Sequence, residues 1–222
     1  MTDLPTDANP HELRPRAAVP GLARGSSPWL APAWGVAAAS VLATRRSRRW
    51  AAVAVPATGL AAVMTWFFRD PERVPGRGRV LSAADGVIQS IDACPDGRTR
   101  VATFMSPLNV HVNRAPVAGA VTSQLRRPGG YRPAFDKDSE HNERVVWHFD
   151  TEFGDVEMVQ IAGALARRII PYTSPGEKVA QADRIGLIRF GSRVDIYLPV
   201  GIAPAVRVGQ RVEAGRTRFD RD

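Results

Sequence analysis

Two uncharged stretches, Trp29 to Thr44 and Trp50 to Phe68, stand on either side of the basic run Arg45-Arg46-Ser47-Arg48-Arg49, and nothing else in the 222-residue chain limits its fold as much. Runs of 16 and 19 uncharged residues around so short a link predict a hydrophobic helical hairpin. Each run is shorter than the roughly 20 residues of a comfortable bilayer span, and Pro32 and Pro56 interrupt them. The bland alternative is a buried helical pair in a soluble protein. Trp29, Trp34, Trp50 and Trp66 near the ends of the runs favour an interface between water and lipid instead.

Charge points the same way once it is located. The formal net charge is +8, and 28 of the 30 basic residues are arginine, a balance that suits nucleic acid or an anionic membrane. Residues 1 to 80 hold 11 arginines and 5 acidic residues, whereas residues 81 to 222 hold 19 basic and 17 acidic ones. The excess therefore surrounds the apolar runs rather than aromatic-bearing strands, which argues for anionic membrane lipids as partners and against nucleic acid. Seven arginines flank the two runs (Arg14, Arg16, Arg24, Arg69, Arg73, Arg77, Arg79) against four between them, so both flanks are expected on the cytoplasmic side. Moving Arg45 to Arg49 across a bilayer is costly, so a hairpin lying in the cytoplasmic leaflet stands equal to one that spans. In either case the expected location is the cytoplasmic face of the cell membrane. Residues 1–28 lack apolar periodicity and read as a disordered tail, and Asp3, Asp7 and Glu12 ahead of the first apolar run argue against a secretory signal.

From Arg69 onward the texture changes to short β-branched runs punctuated by Gly and Pro: 86–91, 99–104, 110–113, 119–125, 144–149, 156–161, 185–190 and 194–198. They predict a mainly β domain over 69–222, with Gly163 to Ile170 open between a helical turn and a strand. Ser82-Ala-Ala-Asp-Gly-Val-Ile88 is echoed by Ala115-Pro-Val-Ala-Gly-Ala-Val121, and Gly176-Glu-Lys-Val179 by Gly209-Gln-Arg-Val212. Such patterns are similar to the strand-turn signatures of biotinyl and lipoyl carrier domains, so a duplicated carrier-like β domain, a flattened barrel-sandwich hybrid, is expected. No lysine stands where a carrier would be modified. The single cysteine, Cys94, excludes an intramolecular disulfide, and the four histidines lack HExxH or HxxxH spacing, so no metal is expected.

Three segments set a reactive group beside a backbone breaker. Asp85-Gly86 alone is an ordinary turn. In Val110-His111-Val112 alternation turns His111 away from the valines, so valines in the core leave His111 on a surface or cleft. With Asp85 to orient it, His111 would be a general base near neutral pH. Gly191-Ser192 interrupts two β-runs and reads blandly as a bulge. It does not match the G-x-S-x-G elbow, but Gly leaves its own carbonyl unshielded from the next residue's hydroxyl.

Together with Phe67-Phe68-Arg69-Asp70-Pro71-Glu72-Arg73, Ala84-Asp85-Gly86, the segment Phe104 to Pro116 (FMSPLNVHVNRAP), Asn142-Glu143-Arg144 and Phe190-Gly191-Ser192, the chain resembles the phosphatidylserine decarboxylases, specifically their short, membrane-associated proenzymes, over roughly residues 64 to 215. The resemblance implies a lyase made by self-cleavage. Ser192 Oγ, deprotonated by His111 with Asp85 behind it, would attack the Gly191 carbonyl and shift the acyl group from nitrogen to oxygen. β-Elimination and hydrolysis would release ammonia and leave a pyruvoyl group on Ser192, giving a β chain 1–191 and an α chain 192–222 that stay together as a heterodimer, with a higher oligomer left open. The ketone would take the serine amine of phosphatidylserine, accept the electrons released with CO₂ and yield phosphatidylethanolamine without an external cofactor.

The sequence departs from longer relatives, whose segment reads Ser-Pro-x-Asp-Tyr-His-x-x-His-x-Pro. His111 matches the first histidine, Arg114 stands at the second, and Asn109 replaces the aspartate. Either His111 serves both cleavage and decarboxylation, the favoured reading, or Arg114 holds the lipid phosphate. Two rival readings keep the β domain as a non-catalytic scaffold, or keep the pyruvoyl chemistry for a soluble amino acid, against which the N-terminal hairpin argues.

Overall fold

The two uncharged runs are helical in the computed structural model, which describes residues 19–130, 141–163, 168–189 and 192–221. Helix α1 spans Ser27–Ala43 and α2 spans Ala51–Phe67, with a 3-10 turn at Arg48–Trp50 ahead of α2. Pro32 and Pro56 lie inside the helices and end neither of them, because a proline removes one backbone donor while the neighbouring turns keep theirs. Trp34 Nε1 donates to Thr65 Oγ1 at 2.9 Å, so the helices lie side by side. Val36, Leu42, Val55, Leu60 and Val63 remain exposed on them. Among the described residues one helical stretch, Arg48–Phe67, is long and apolar enough to cross a membrane by length and composition. Residues 19–28, within the expected tail, are tied to the rest of the chain. Asp70 N–H donates to Gly21 O at 2.8 Å, and Tyr172 Oη to Arg24 O at 2.8 Å.

Past Asp70 the chain is mainly β. Strands β1 (Gly86–Ala93), β2 (Thr99–Met105), β4 (Gly119–Arg127), β5 (Arg144–Thr151), β6 (Gly154–Ala162), β8 (Lys178–Val179), β10 (Ser192–Leu198) and β11 (Arg211–Val212) form one antiparallel sheet, in the order β11-β1-β2-β10-β6-β5-β4-β8. Strands β3 (Val112–Arg114), β7 (Ile169–Pro171) and β9 (Arg184–Ile188) form a second, ordered β3-β9-β7. The stretch 163–170, left open by the sequence, ends in β7, and its residues 164–167 lie outside the described residues.

Two apolar clusters hold these parts together. The larger fills the curved sheet with Trp147, Phe149, Met105, Ile88, Val194 and Phe219 among its members. The smaller joins Phe67 and Phe68, at the end of α2, to Val112 and Leu187 of the second sheet, to Val110 just ahead of it and to Tyr172. Full burial of such side chains is worth about 1.5–3 kcal/mol each. The smaller cluster thus fastens the helical pair to the β domain at the place where His111 lies.

Candidate active site

Ser192 opens β10 between two strands. It stands opposite Met105 of β2 on one side and Ala162 of β6 on the other. Its side chain is fully buried, and Oγ donates to Met105 Sδ at 3.2 Å. A thioether is a weak acceptor, so the hydroxyl proton is only weakly held. Asn142, buried in the Asn-Glu-Arg motif, fixes the far side of this position: its Nδ2 donates to Ala162 O at 2.8 Å, and Ala162 N–H donates to Glu143 O at 2.9 Å. Gly191, expected to carry the attacked carbonyl, lies outside the described residues.

His111 lies immediately before β3, and its carbonyl accepts the N–H of Ile188, four residues before Ser192. Alternation holds for the valines, since Val110 and Val112 both enter the smaller cluster. The opposite face is not a surface, however. His111 has 0% exposure, with the Phe67 ring tilted over it at 4.5 Å. A strand periodicity tells which residues share a face, and here both faces are covered, one of them by a helix far away in sequence. Burial, with a smaller push from the Arg69 charge, lowers the imidazole to about 4. The ring is therefore neutral at pH 7. Because Asn109 O can only accept, the Nδ1 that faces it at 2.9 Å carries the proton. Nε2 is left as a buried acceptor without a partner among the described residues.

Asp85 does not orient that ring. Its carboxylate takes both terminal nitrogens of Arg73, Nη2 at 2.8 Å, and the backbone N–H of Ala214 at 2.8 Å. These partners occupy the carboxylate, and Asp85 reaches His111 through its charge alone, which favours the protonated imidazole. The following glycine is required by space: a Cβ on Gly86 would stand 2.1 Å from Phe104 O. Asp85 also lines a cavity of about 510 Å³ with Ser106, Leu108, Asn109 and Glu213.

Arg114 is committed to the fold. Nη1 donates to Ala182 O at 3.1 Å, and Nη2 donates to Pro71 O at 2.9 Å and to Asp70 Oδ1 at 3.4 Å. Holding a lipid phosphate would require breaking these contacts, so the position of the second histidine serves here to tie residues 70–71 to residue 182. The rest of the Phe-Phe-Arg-Asp-Pro-Glu-Arg motif works similarly. Arg69 donates to Leu108 O at 2.7 Å, Arg184 pairs with Asp70 and with Glu72 at 2.8 Å, and Arg73 holds Asp85. Among the described residues no group of three His, Cys, Asp or Glu side chains could hold a metal ion.

Sequence reasoning missed the polar residues that link Ser192 to the core. Asn113 Nδ2 donates to the same Met105 Sδ at 3.6 Å, Gln160 Nε2 to Asn113 Oδ1 at 2.7 Å, and Trp147 Nε1 to Gln160 Oε1 at 2.8 Å. All three side chains have 0% exposure. The signal available in sequence was an amide flanked on each side by valine or isoleucine in β6 and another placed two residues after His111 in β3.

A fully buried serine between two sheet strands, a buried imidazole with an unprotonated nitrogen and an Asp-Arg clamp are the reactive groups of this mainly β chain, and α2 helps to cover them. The chain belongs to the phosphatidylserine decarboxylase family, whose profile matches residues 60–220. It is 66% identical over 212 residues to the phosphatidylserine decarboxylase proenzyme of Thermobifida fusca, covering 96% of this chain and 98% of the relative. It is 70% identical over 201 residues to that of Streptomyces griseus, covering 90% and 94%. A putative archaetidylserine decarboxylase proenzyme of Halobacterium salinarum is 47% identical over 202 residues, covering 88% and 97%. The protein is an enzyme of this decarboxylase family.

Proposed function

We propose that the chain is a proenzyme that cuts itself between Gly191 and Ser192 and then decarboxylates phosphatidylserine to phosphatidylethanolamine at the cytoplasmic face of the membrane. The observation that carries this is Ser192 itself: a fully buried hydroxyl at the head of a central strand, with only a thioether as acceptor among the described residues, in a chain closely related to proteins named as proenzymes. Its surroundings suit a pyruvoyl group made in place, since the hydroxyl is fully buried and the Asn113 amide donates to the same sulphur that it touches.

His111 Nε2 is the group we assign to accept the Ser192 proton, and later to return a proton to the substrate carbon. Its neutrality at pH 7 leaves the lone pair available, and its low basicity makes the imidazolium a strong donor for the return. Once formed, the pyruvoyl group would supply the electron sink for loss of CO₂. Asp85 and Arg73 hold the loop around Gly86, and exclusion of water favours conversion of a carboxylate into neutral CO₂.

The membrane reading rests on α1 and α2. They expose Trp29, Trp34, Trp50 and Trp66 together with aliphatic side chains, as an interfacial or spanning hairpin would. A duplicated, carrier-like domain is supported by pairing in two places. Gly86 stands opposite Val212 in β1 and β11, and Gly119 stands opposite Val179 in β4 and β8.

Mass analysis under denaturing conditions tests the reading. Two chains are expected, the smaller beginning at residue 192 with a carbonyl in place of its amine, along with CO₂ release from dispersed phosphatidylserine and none from free serine. An intact 24.1 kDa chain without carbonyl reactivity would overturn it.

A further inference from the structure

We propose that Asn113 is a catalytic residue of the self-cleavage, its side-chain N–H stabilising the negative charge that develops as Ser192 Oγ attacks, with Gln160 and Trp147 as positioning residues. The proposal rests on the self-cleavage reading above and adds a residue to it. The argument is one of donors and acceptors. An indole N–H can only donate, so the Gln160 atom facing Trp147 is its oxygen. The Gln160 nitrogen is thereby turned toward Asn113, which must answer with Oδ1. Asn113 is left presenting Nδ2, and among the described residues the only acceptor it meets is Met105 Sδ at 3.6 Å, the sulphur that Ser192 Oγ touches at 3.2 Å.

Three fully buried residues thus fix the orientation of one amide and leave its N–H against a weak acceptor beside the reactive hydroxyl. A buried donor without a good partner is costly in the resting protein. The cost is recovered where a better acceptor forms. When Ser192 Oγ gives up its proton and bonds to the Gly191 carbonyl carbon, the π pair moves to the carbonyl oxygen. That oxyanion then collapses, the carbon–nitrogen bond breaks, and the Ser192 nitrogen takes up a proton, leaving an ester and an amine. A preorganised N–H in a site closed to water acts on the charge during this passage. Gly186 makes room for the arrangement. It stands opposite Asn113 in the second sheet, and a Cβ there would lie 3.0 Å from Gln160 Nε2.

The test follows the rate at which fragments appear from the full-length chain carrying Asn113→Leu or Asn113→Asp, with thermal melting as the measure of folding. Loss of one such donor is worth ~10²–10³ in rate, so Asn113→Leu should slow cleavage by about that factor while still melting cooperatively. In Asn113→Asp the introduced carboxyl can donate only when protonated. Cleavage should be slow at pH 8 and recover toward pH 6, a trend absent from the wild type and outside the reach of a merely structural role. Trp147→Phe frees the Gln160 amide to turn and should slow cleavage less than Asn113→Leu does. A folded Asn113→Leu chain cleaving within about threefold of the wild type would overturn the role of Asn113 alone. If that variant does not fold, a constant ratio of Asn113→Asp to wild-type rate across this pH range overturns it. A wild-type chain that never cleaves overturns the self-cleavage reading and this proposal together.

Discussion

The eight-stranded sheet has two halves that match strand for strand, β11-β1-β2-β10 against β8-β4-β5-β6, and they differ in how the inner pair is joined. In both, a glycine opens the first long strand against a neighbouring carbonyl: a Cβ would lie 2.1 Å from Phe104 O at Gly86 and 2.3 Å from Asp150 O at Gly119. Both hairpins shift register two residues later, between Ile88 and Ser90 and between Val121 and Ser123. In the second half, β5 runs into β6 through the turn at Glu152 and Phe153, with Thr151 opposite Gly154. In the first, Met105 stands opposite Ser192 in the same manner, but everything from β3 to β9 intervenes in sequence. The proposed cleavage site falls at this interruption. Where one half closes with a two-residue turn, the other sets Ser192 and the Asn113 amide of an inserted second sheet against one sulphur, Met105 Sδ.

The comparison can be broken most severely at its centre. Ser192→Ala should abolish fragment formation altogether and leave a folded, intact chain on a denaturing gel; cleavage of that variant would move the site elsewhere. Next in size is the pH dependence of stability. The native imidazole of His111 titrates at about 4 against 6.5 for an ordinary one, so between these values the unfolded chain binds a proton that the native chain does not. Stability should therefore fall as pH drops through that window, by on the order of 3 kcal/mol, and urea titrations of His111→Gln should show that part of the loss gone. The two glycines come third. Gly86→Ala and Gly119→Ala should each cost about 1–3 kcal/mol in urea melts, but only the first should also slow self-cleavage, because Phe104 precedes Met105 in β2. Equal effects on cleavage would mean that the halves are mechanically one. The smallest effect separates scaffold from substrate contact. Arg114→Lys should lower the melting temperature through the Asp70, Pro71 and Ala182 contacts while leaving KM for the lipid within about twofold, whereas a raised KM at unchanged melting temperature would give Arg114 the phosphate.

Much of this was legible locally. The β-branched runs marked the strands within a few residues, the segments of the glycine-valine echo pair with one another, Gly86 with Val212 and Gly119 with Val179, and the ordered motifs marked the family. What escaped the sequence was whatever depends on a distant partner. Asp85 reads as the companion of His111 until Arg73 closes on it, and His111 reads as exposed until Phe67 covers it. Periodicity assigns a face, while the occupant of that face comes from another part of the chain. Gln160 reaches Asn113 across 47 positions, and no local pattern could have paired them.

Strand β10 is gripped by β2 on one edge and β6 on the other, and β11 by β1. A cut ahead of Ser192 would cost the sheet no more than the Ser192 N–H at the very start of β10, so the severed piece would stay seated as the middle plank of the sheet. Regaining that seat after unfolding is a different matter, because assembly that was once intramolecular becomes an encounter between two molecules, dependent on concentration. The processed protein would then persist by slow unfolding rather than by ready refolding: its shape is a record of having been one chain.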